Sequence, residues 1–477
     1  MKRTDLKPFS FALIAAALSA CAVGPDYKRP DAPAAPAYKE AGDWLNATPN
    51  DNAARGPWWE AFQDPQLNEL EKQVVISNQT LAQAEAQYRQ ASALLRQTRA
   101  GFLPTVSADA SVKRSGGNNS STGTAVIGNR YSLSLDASWE LDLWGRVRRS
   151  VEASAAEAKA SEADLASARL STQAQLAQSY LQLRITDEQK RLLDDTVAGY
   201  QRSLELTQNQ YKVGVAAKAD VSQALTQLKS AQAQAIATQI QRAQLEHAIA
   251  VLLGKTPAEF SIEPAKLLAV VPPPTPPGVP STLLERRPDI AAAERRMAAA
   301  NAQIGVARAA YFPSLTISAS GGYQSSSFAD WISLPNRFWS VGPSAALTLF
   351  DAGARSAQND QAVAAYDQNV AAYRQTVLGA FQEVEDNLVA LHLLAEQARI
   401  QGEAVDAAQE SLKIAMNQYK AGTVSYLNVV TAQNATYNAQ NSALTVLNSQ
   451  MSASVLLIKA LGGGWQLDQD NKDQGGN

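Results

Sequence analysis

The chain has 477 residues, 18% of them charged and 7% aromatic, and a formal net charge of −3. That length allows two or more ordinary domains, and the charge balance lacks the basic face expected of a nucleic-acid binder. A single Cys excludes a disulfide framework or a cysteine metal cluster. His247 and His392 fall inside predicted helices without metal-type spacing, so no metal, cofactor or catalytic centre is expected.

Residues 1–20 read as a secretion signal. Lys2, Arg3 and Lys7 form the positive start, Phe9 to Leu18 the short apolar run, and Leu18-Ser19-Ala20-Cys21 has the form of a bacterial lipobox. Cys21 is then expected as the lipidated N-terminus of the mature chain. Residues 21–63 form a Pro- and Ala-rich strap with an apolar anchor at Trp58, Trp59 and Phe62. Asp64-Pro65 has the form of a helix start, and helices are expected to Ser77 and from Asn78 to Gly101, where Pro104 ends the second.

A hairpin follows over 105–143. Val106, Ala108, Ala110 and Val112 alternate with Thr105, Ser107, Asp109, Ser111 and Lys113; Leu133, Leu135, Trp139 and Leu141 alternate with Ser134, Asp136, Ser138, Glu140 and Asp142. Period-two alternation gives strands with one apolar and one wet face. The Gly-, Asn- and Ser-rich stretch from Ser115 to Asn129 reads as the connecting loop. A helix is expected over 145–211, on the order of 100 Å if continuous. Its apolar residues, such as Leu176, Tyr180, Leu183, Leu193, Val197, Tyr200 and Leu204, recur every three or four positions among Ala, Ser and Gln; that is a narrow, coiled-coil-like seam. Arg146, Arg148 and Arg149 stand at its start, where the helix dipole disfavours cations, and read as residues of a membrane–water boundary. Gly214 marks a turn into a return helix over 219–253.

The pattern then repeats. Phe102-Leu103-Pro104 recurs as Tyr311-Phe312-Pro313, an offset of 209 residues; Tyr211-Lys212-Val213-Gly214 recurs as Tyr419-Lys420-Ala421-Gly422, an offset of 208. Repeat 1 thus covers 64–254. A Pro-rich crossover occupies 255–283, stiff and extended over Pro272 to Pro280. Repeat 2 covers 284–462, with a hairpin at 314–350, a long helix at 353–419 and a return helix at 427–461; 463–477 is expected to be a disordered tail. Trp139, Trp144, Trp331 and Trp339 are available for an aromatic girdle at a membrane interface.

Four amphipathic strands cannot span a membrane alone, because their edges would leave backbone groups unsatisfied in lipid. Closure with other copies is required. The expected fold class is an α+β membrane protein, each chain a tandem structural repeat, its strands closing a β-barrel that an α-helical barrel continues.

These residues resemble the TolC/OprM-type outer-membrane factors of the NodT lipoprotein branch. The points of contact are Cys21-Ala22-Val23-Gly24-Pro25-Asp26-Tyr27, Trp58-Trp59 with Phe62 and Asp64, Leu284-Glu285-Arg286-Arg287-Pro288-Asp289-Ile290 with Glu294, and the two Tyr-Lys-x-Gly turns. The resemblance implies a homotrimer with a twelve-stranded barrel, held in the outer membrane by an acyl anchor and extending far into the periplasm. It implies a passive efflux duct that joins a periplasmic adaptor and an inner-membrane pump of the resistance-nodulation-division class. It also implies a periplasmic tip, with adaptor contacts, at Val213, Gly214, Val215, Ala421, Gly422 and Thr423, and an aperture at Asp220, Asn428 and Thr431. The rival readings are a duct for type I protein secretion and a periplasmic structural lipoprotein without a pore.

Overall fold

A computed structural model describes residues 23–31, 38–39, 57–118, 125–265 and 287–463. Cys21, the signal segment, most of the strap, the Pro272–Pro280 crossover and the tail lie outside the described residues. After a 3₁₀ turn at Trp58–Phe62 come α1 (Pro65–Ser77), α2 (Gln79–Ala100), β1 (Thr105–Asn118), β2 (Ala125–Leu141), α3 (Arg146–Lys212) and α4 (Lys218–Leu252). The second half contributes α5 (Pro288–Ala309), β3 (Ser314–Ser325), β4 (Arg337–Ala346), α6 (Ala354–Lys420) and α7 (Tyr426–Ala460). The chain divides into two compact units: Met1–Asp31, Gln87–Glu162 and Ala292–Arg374 form the first, and Ala32–Ala86, Ala163–Ala291 and Gln375–Asn477 the second.

The first unit is built on a four-stranded antiparallel sheet in the order β1-β2-β3-β4. Cross-strand partners share a face, so the register fixes what each face carries. One set of rows runs Val106–Ala137–Ala319–Val341 and Ala108–Leu135–Gly321–Trp339; the alternating set runs Thr105–Ser138–Ser318–Gly342 and Ser107–Asp136–Ser320–Ser340. In these rows apolar meets apolar and polar meets polar or glycine; towards the far end of β4 the match breaks, where Phe338 closes the row Asp109–Ser134–Gly322 and Arg337 the row Ala110–Leu133–Tyr323. A slip of one residue would invert every row.

The strands differ from expectation at both ends. Ser115 to Asn129 is not a long loop: pairing continues through Ser115↔Gly128 and Gly116↔Ile127 to Asn118↔Ala125. A hairpin ladder is made of backbone groups, and Gly and Ser supply those as well as Val does. Conversely, β4 stops at Ala346, short of 350, because its partner strand begins at Ser314 and is preceded by Pro313, which has no N–H to donate. Leu349 and Phe350 are left exposed.

The junction between β2 and α3 also corrects a reading. Asp142 caps the helix, accepting the Val147 and Arg148 amides at 2.8 Å each. Arg146 makes a forked pair with Glu140 at 2.8 and 2.6 Å. Arg149 is buried and pairs with Asp26 and Glu152, both at 2.8 Å. The dipole penalty is thus offset by carboxylates on each of these two cations, and Arg149 is an internal anchor, not a boundary residue. Trp144 stacks on Phe312, centroids 4.9 Å apart, and donates its indole N–H to the Pro313 carbonyl at 2.7 Å.

The second unit packs Trp58, Trp59, Phe62, Leu67, Leu70 and Val74 against Tyr180, Leu183, Ile249, Leu253 and Val455. Asp64 caps α1 through the Gln66 and Leu67 amides and accepts the Tyr180 hydroxyl at 2.8 Å. Arg287 forks onto Asp289, reaches Glu383 at 2.7 Å and donates to the Ala460 carbonyl at 3.0 Å. That is the structural content of the Arg-Pro-Asp motif: it ties the start of α5 to the end of α7. Among the described residues no helix is long and apolar enough to cross a membrane.

Candidate functional site

Three places concentrate the chemistry, and each follows from local sequence. The first is the pair of helix–helix turns in the second unit. Gly214 and Gly422 adopt φ of +79° and +73°, the left-handed region that lets a helix end without a Cβ clash. The freed carbonyls are recaptured by Val215 N–H to Gln210 at 2.8 Å and Thr423 N–H to Gln418 at 3.0 Å. Val213 and Val215 are left 74% and 69% exposed. Ala421, Gly422 and Thr423 occupy the matching turn, also exposed.

Just beyond the turns lie Asp220, Asn428 and Thr431. The Asp220 carboxylate accepts the Ala217 amide at 3.0 Å, closing the first turn of α4. Asn428 is exposed on the first turn of α7, and the Thr431 hydroxyl bonds back to the Leu427 carbonyl at 3.0 Å. Polar residues, of which the helical periodicity marks Tyr200 alone, hold this region together. The Tyr419 hydroxyl bonds Thr207 at 3.2 Å, Gln433 bonds Ser203 at 2.8 Å, and Tyr200 bonds Asn434 at 3.2 Å. Tyr419 and Tyr426 pack with ring centroids 5.4 Å apart. Burial, with neighbouring Tyr419, Tyr200 and Asp220, pushes the Tyr426 phenol up to about 12. The sequence signals for this cluster are the repeated Tyr-Lys-x-Gly, which marks Tyr419, and the seam spacing, which marks Tyr200; neither marks Thr207, Ser203, Gln433 or Asn434.

The second place is the wet face of the sheet. Glu140, Asp136 and Asp109 share it with Ser, Thr and Gly, with Phe338 at the β4 end and with Lys113 and Arg130 further along β1 and β2. The opposite face carries the apolar rows and, at the hairpin ends, an aromatic group. There Tyr131 lies 5.5 Å from Phe328 and 5.9 Å from Trp331, whose indole N–H donates to the Tyr323 carbonyl.

The third is the foot of the sheet, where residues 23–31 are strapped down. The Val23 amide donates to the Trp144 carbonyl at 3.0 Å, and Asn301 donates to the Pro25 carbonyl at 3.0 Å. The Tyr27 hydroxyl reaches Glu294 at 3.3 Å, and Arg29 reaches the Tyr373 hydroxyl at 3.0 Å. Gly24, at φ +109°, passes so close to Gly305 that a Cβ on it would lie 2.5 Å from the Gly305 Cα. The strap is fitted to its groove at backbone distance. Cys21 precedes Val23 by two residues and lies outside the described residues.

A sheet with one apolar and one wet face, joined to helices of 67 residues in each of two repeats, defines a class: the outer-membrane channel subunits. A family model described as outer membrane efflux protein matches residues 70–255 and again 279–463, one match per repeat. The chain belongs to the outer membrane efflux protein family, and it is an outer-membrane protein. It is 36% identical over 461 residues to a probable efflux pump outer membrane protein, TtgC, of Pseudomonas putida, covering 96% of this chain and 95% of that one. It is 31% identical over 435 residues to the pyoverdine export outer membrane protein OpmQ of Pseudomonas aeruginosa, covering 89% and 91%. Among solved structures, the outer-membrane channel OprN superposes with a TM-score of 0.87 at 33% identity, covering 93% of this chain and 100% of that one.

Proposed function

We propose that three copies of this chain close their sheets into a twelve-stranded barrel, continued by a barrel of helices. The assembly is a passive exit duct for small toxic molecules in a tripartite efflux system. The observation that carries this is the register: the wet rows Thr105–Ser138–Ser318–Gly342 and Ser107–Asp136–Ser320–Ser340 run across all four strands while both outer strands keep an unpaired edge within the chain. Lipid does not tolerate open edges, and ring closure between copies satisfies them while turning the wet face inward. A deletion strain tests the reading. Expressing the chain should restore tolerance to drugs or solvents; unchanged tolerance with loss of a secreted polypeptide would point to protein secretion.

The exposed Val213 and Val215, with Ala421, Gly422 and Thr423, are proposed to contact a periplasmic adaptor that bridges to an inner-membrane pump of the resistance-nodulation-division class. Asp220, with Asn428 and Thr431, is proposed to line the aperture. One Asp220 oxygen is engaged by the Ala217 amide, so a threefold set presents three singly engaged carboxylates to a permeating cation. Asp220→Asn is expected to weaken cation block of single channels in planar bilayers; unchanged block and conductance would remove Asp220 from the aperture.

Cys21 is proposed to carry the acyl anchor that holds the N-terminus in the outer membrane. The bond from Val23 to Trp144 supports this, because it holds Val23, two residues after Cys21 in the sequence, at the strand-to-helix junction. Cys21→Ser is expected to abolish labelling by radioactive palmitate, while an unaltered label would overturn the assignment.

A further inference from the structure

The wet face of the sheet changes charge along its length. Lys113 on β1 stands directly opposite Arg130 on β2, and both are exposed. Their same-face diagonal neighbours are Ser111, Ser115, Gly128 and Ser132, so no carboxylate answers them locally. Like charges directly opposite one another on a ladder are destabilising. Two facing serines, as at Ser111 and Ser132 in the next row, would avoid that cost.

Lys113 is the ninth residue of β1. A membrane strand needs about 9–11 residues to cross the hydrocarbon, so a strand entering at Thr105 reaches the outer boundary at this row. The last β2–β3 pair is Tyr131↔Ser325, so the cation pair stands one step beyond the point where β3 ends. The acids sit deeper: Asp109 is four residues back along β1, at ~14 Å, and Asp136, opposite Ser107, is six back, at ~20 Å. Both separations exceed the ~8 Å Debye length of physiological salt. The acidic band and the basic row therefore act as separate zones and do not neutralise each other. Glu140, at the inner end, is already paired with Arg146. Arg114, opposite Asn129, and Arg337, opposite Tyr323, fall on the other face by register, so Lys113 and Arg130 alone make up the basic row of the wet face.

We propose that Lys113 and Arg130 form a basic collar at the outer mouth of the duct that binds multivalent anions and makes the two mouths electrically unlike. The inference rests on the closed-barrel reading, in which three copies bring six such cations around one opening. A charged rim with low-dielectric walls raises the local concentration of counter-ions by tenfold or more. Lys and Arg are the donors of choice for phosphate oxygens. The collar takes phosphate-bearing polyanions from the outer side and repels cations that approach from outside, while cargo arriving from within meets the acidic band first.

The test uses full-length protein in planar bilayers under a KCl gradient, with inorganic tripolyphosphate added to one side at a time. Tripolyphosphate on the outer side is expected to block the wild type at a concentration roughly tenfold lower than it blocks Lys113→Gln/Arg130→Gln. The same variant is expected to shift the reversal potential towards cation preference, and Lys113→Glu/Arg130→Glu to shift it further. Both variants change only exposed side chains, and the glutamine pair removes the charges while keeping polar hydrogen-bonding side chains. A conducting wild type whose reversal potential and outer-side block match those of both variants overturns the collar alone. A wild type that forms no conducting pore overturns the duct reading and the collar with it.

Discussion

The two repeats share a backbone plan but distribute charge differently upon it. In repeat 1, Arg184 bonds Asp187 at 3.1 Å, and Arg242 bonds the same Asp187 at 2.6 Å and Glu246 at 3.1 Å. At the 208-residue offset, repeat 2 carries His392, Ala395, Gln450 and Ser454 in their place. The reason lies in what each set must hold. Arg184 donates to the Glu263 carbonyl at 2.9 Å, Arg242 donates to the Ile262 carbonyl, and Glu246 accepts the Ile262 amide, so the network pins the chain as it leaves repeat 1. In repeat 2, Gln450 instead bonds the Leu394 carbonyl of the neighbouring helix at 3.0 Å. Elsewhere the acceptor is kept and the donor changed. Asn78 reaches the Leu252 carbonyl at 2.7 Å, and at the equivalent place Arg287 reaches that of Ala460. Duplication fixed the backbone geometry, and each copy then met its own neighbours with different side chains.

The sharpest way to break this comparison is to remove the shared acid. Asp187→Ala leaves Arg184, buried, and Arg242, largely buried, without their common carboxylate. Uncompensated buried charge costs about 3–5 kcal/mol. Gln450→Ala, at the position equivalent to Arg242, removes one neutral hydrogen bond and is expected to cost about 1 kcal/mol. Denaturant unfolding of detergent-solubilised protein reads both. Equal losses would mean that the network is not what distinguishes repeat 1.

Glu71 sharpens the contrast by pH. It is fully buried in α1, and neither carboxyl oxygen has a hydrogen-bond partner. Burial alone pushes it up to about 9. The folded form therefore keeps a proton that the unfolded chain, titrating near 4.5, has lost at neutral pH. Its contribution is fully present below the unfolded value and declines as pH rises towards about 9, at about 1.4 kcal/mol per pH unit. Between pH 5.5 and 7.5 the wild type should lose roughly 3 kcal/mol from this group, and Glu71→Gln should remove that slope. A pH profile identical in the two proteins would show that the carboxyl gains a partner in the assembled molecule.

The order in which these features were legible has a physical basis. Alternation on the strands was readable because a side-chain period of two survives any loop length, and the register then aligned like with like in the rows from Thr105 to Ala108, though not at Arg337 and Phe338. The tandem repeat was readable because Pro313, Gly353 and Gly422 sit where Pro104, Gly145 and Gly214 predict, each at a backbone position that few other residues fill. The Arg149 anchor was not readable: its partner Asp26 is 123 residues away, and a cation at a helix start has a ready surface explanation. Glu71 was hidden in plain view, since Leu67, Leu70, Glu71 and Val74 form one apolar stripe at helical spacing. The Gly and Ser of 115–118 and 128 argued for a loop because composition reports side chains, whereas the ladder depends on backbone.

The smallest expected effect tests the comparison at a single pair of atoms. Tyr211 and Tyr419 end α3 and α6 at equivalent positions, yet Tyr211 is 45% exposed and Tyr419 5%. Tyr211 lies under the Lys218 ammonium, 5.7 Å from its ring centroid, where a ring without a hydroxyl serves as well. Tyr419 spends its hydroxyl on Thr207 inside the helix cluster. Tyr419→Phe should therefore lose about 1 kcal/mol, the net worth of one neutral hydrogen bond plus part of the cost of an unpaired Thr207. Tyr211→Phe should fall within about 0.5 kcal/mol of wild type, as surface changes do. If the two substitutions cost the same, the repeats are equivalent at their turns, and the division of roles inferred from the ionic network does not extend to this end of the helices.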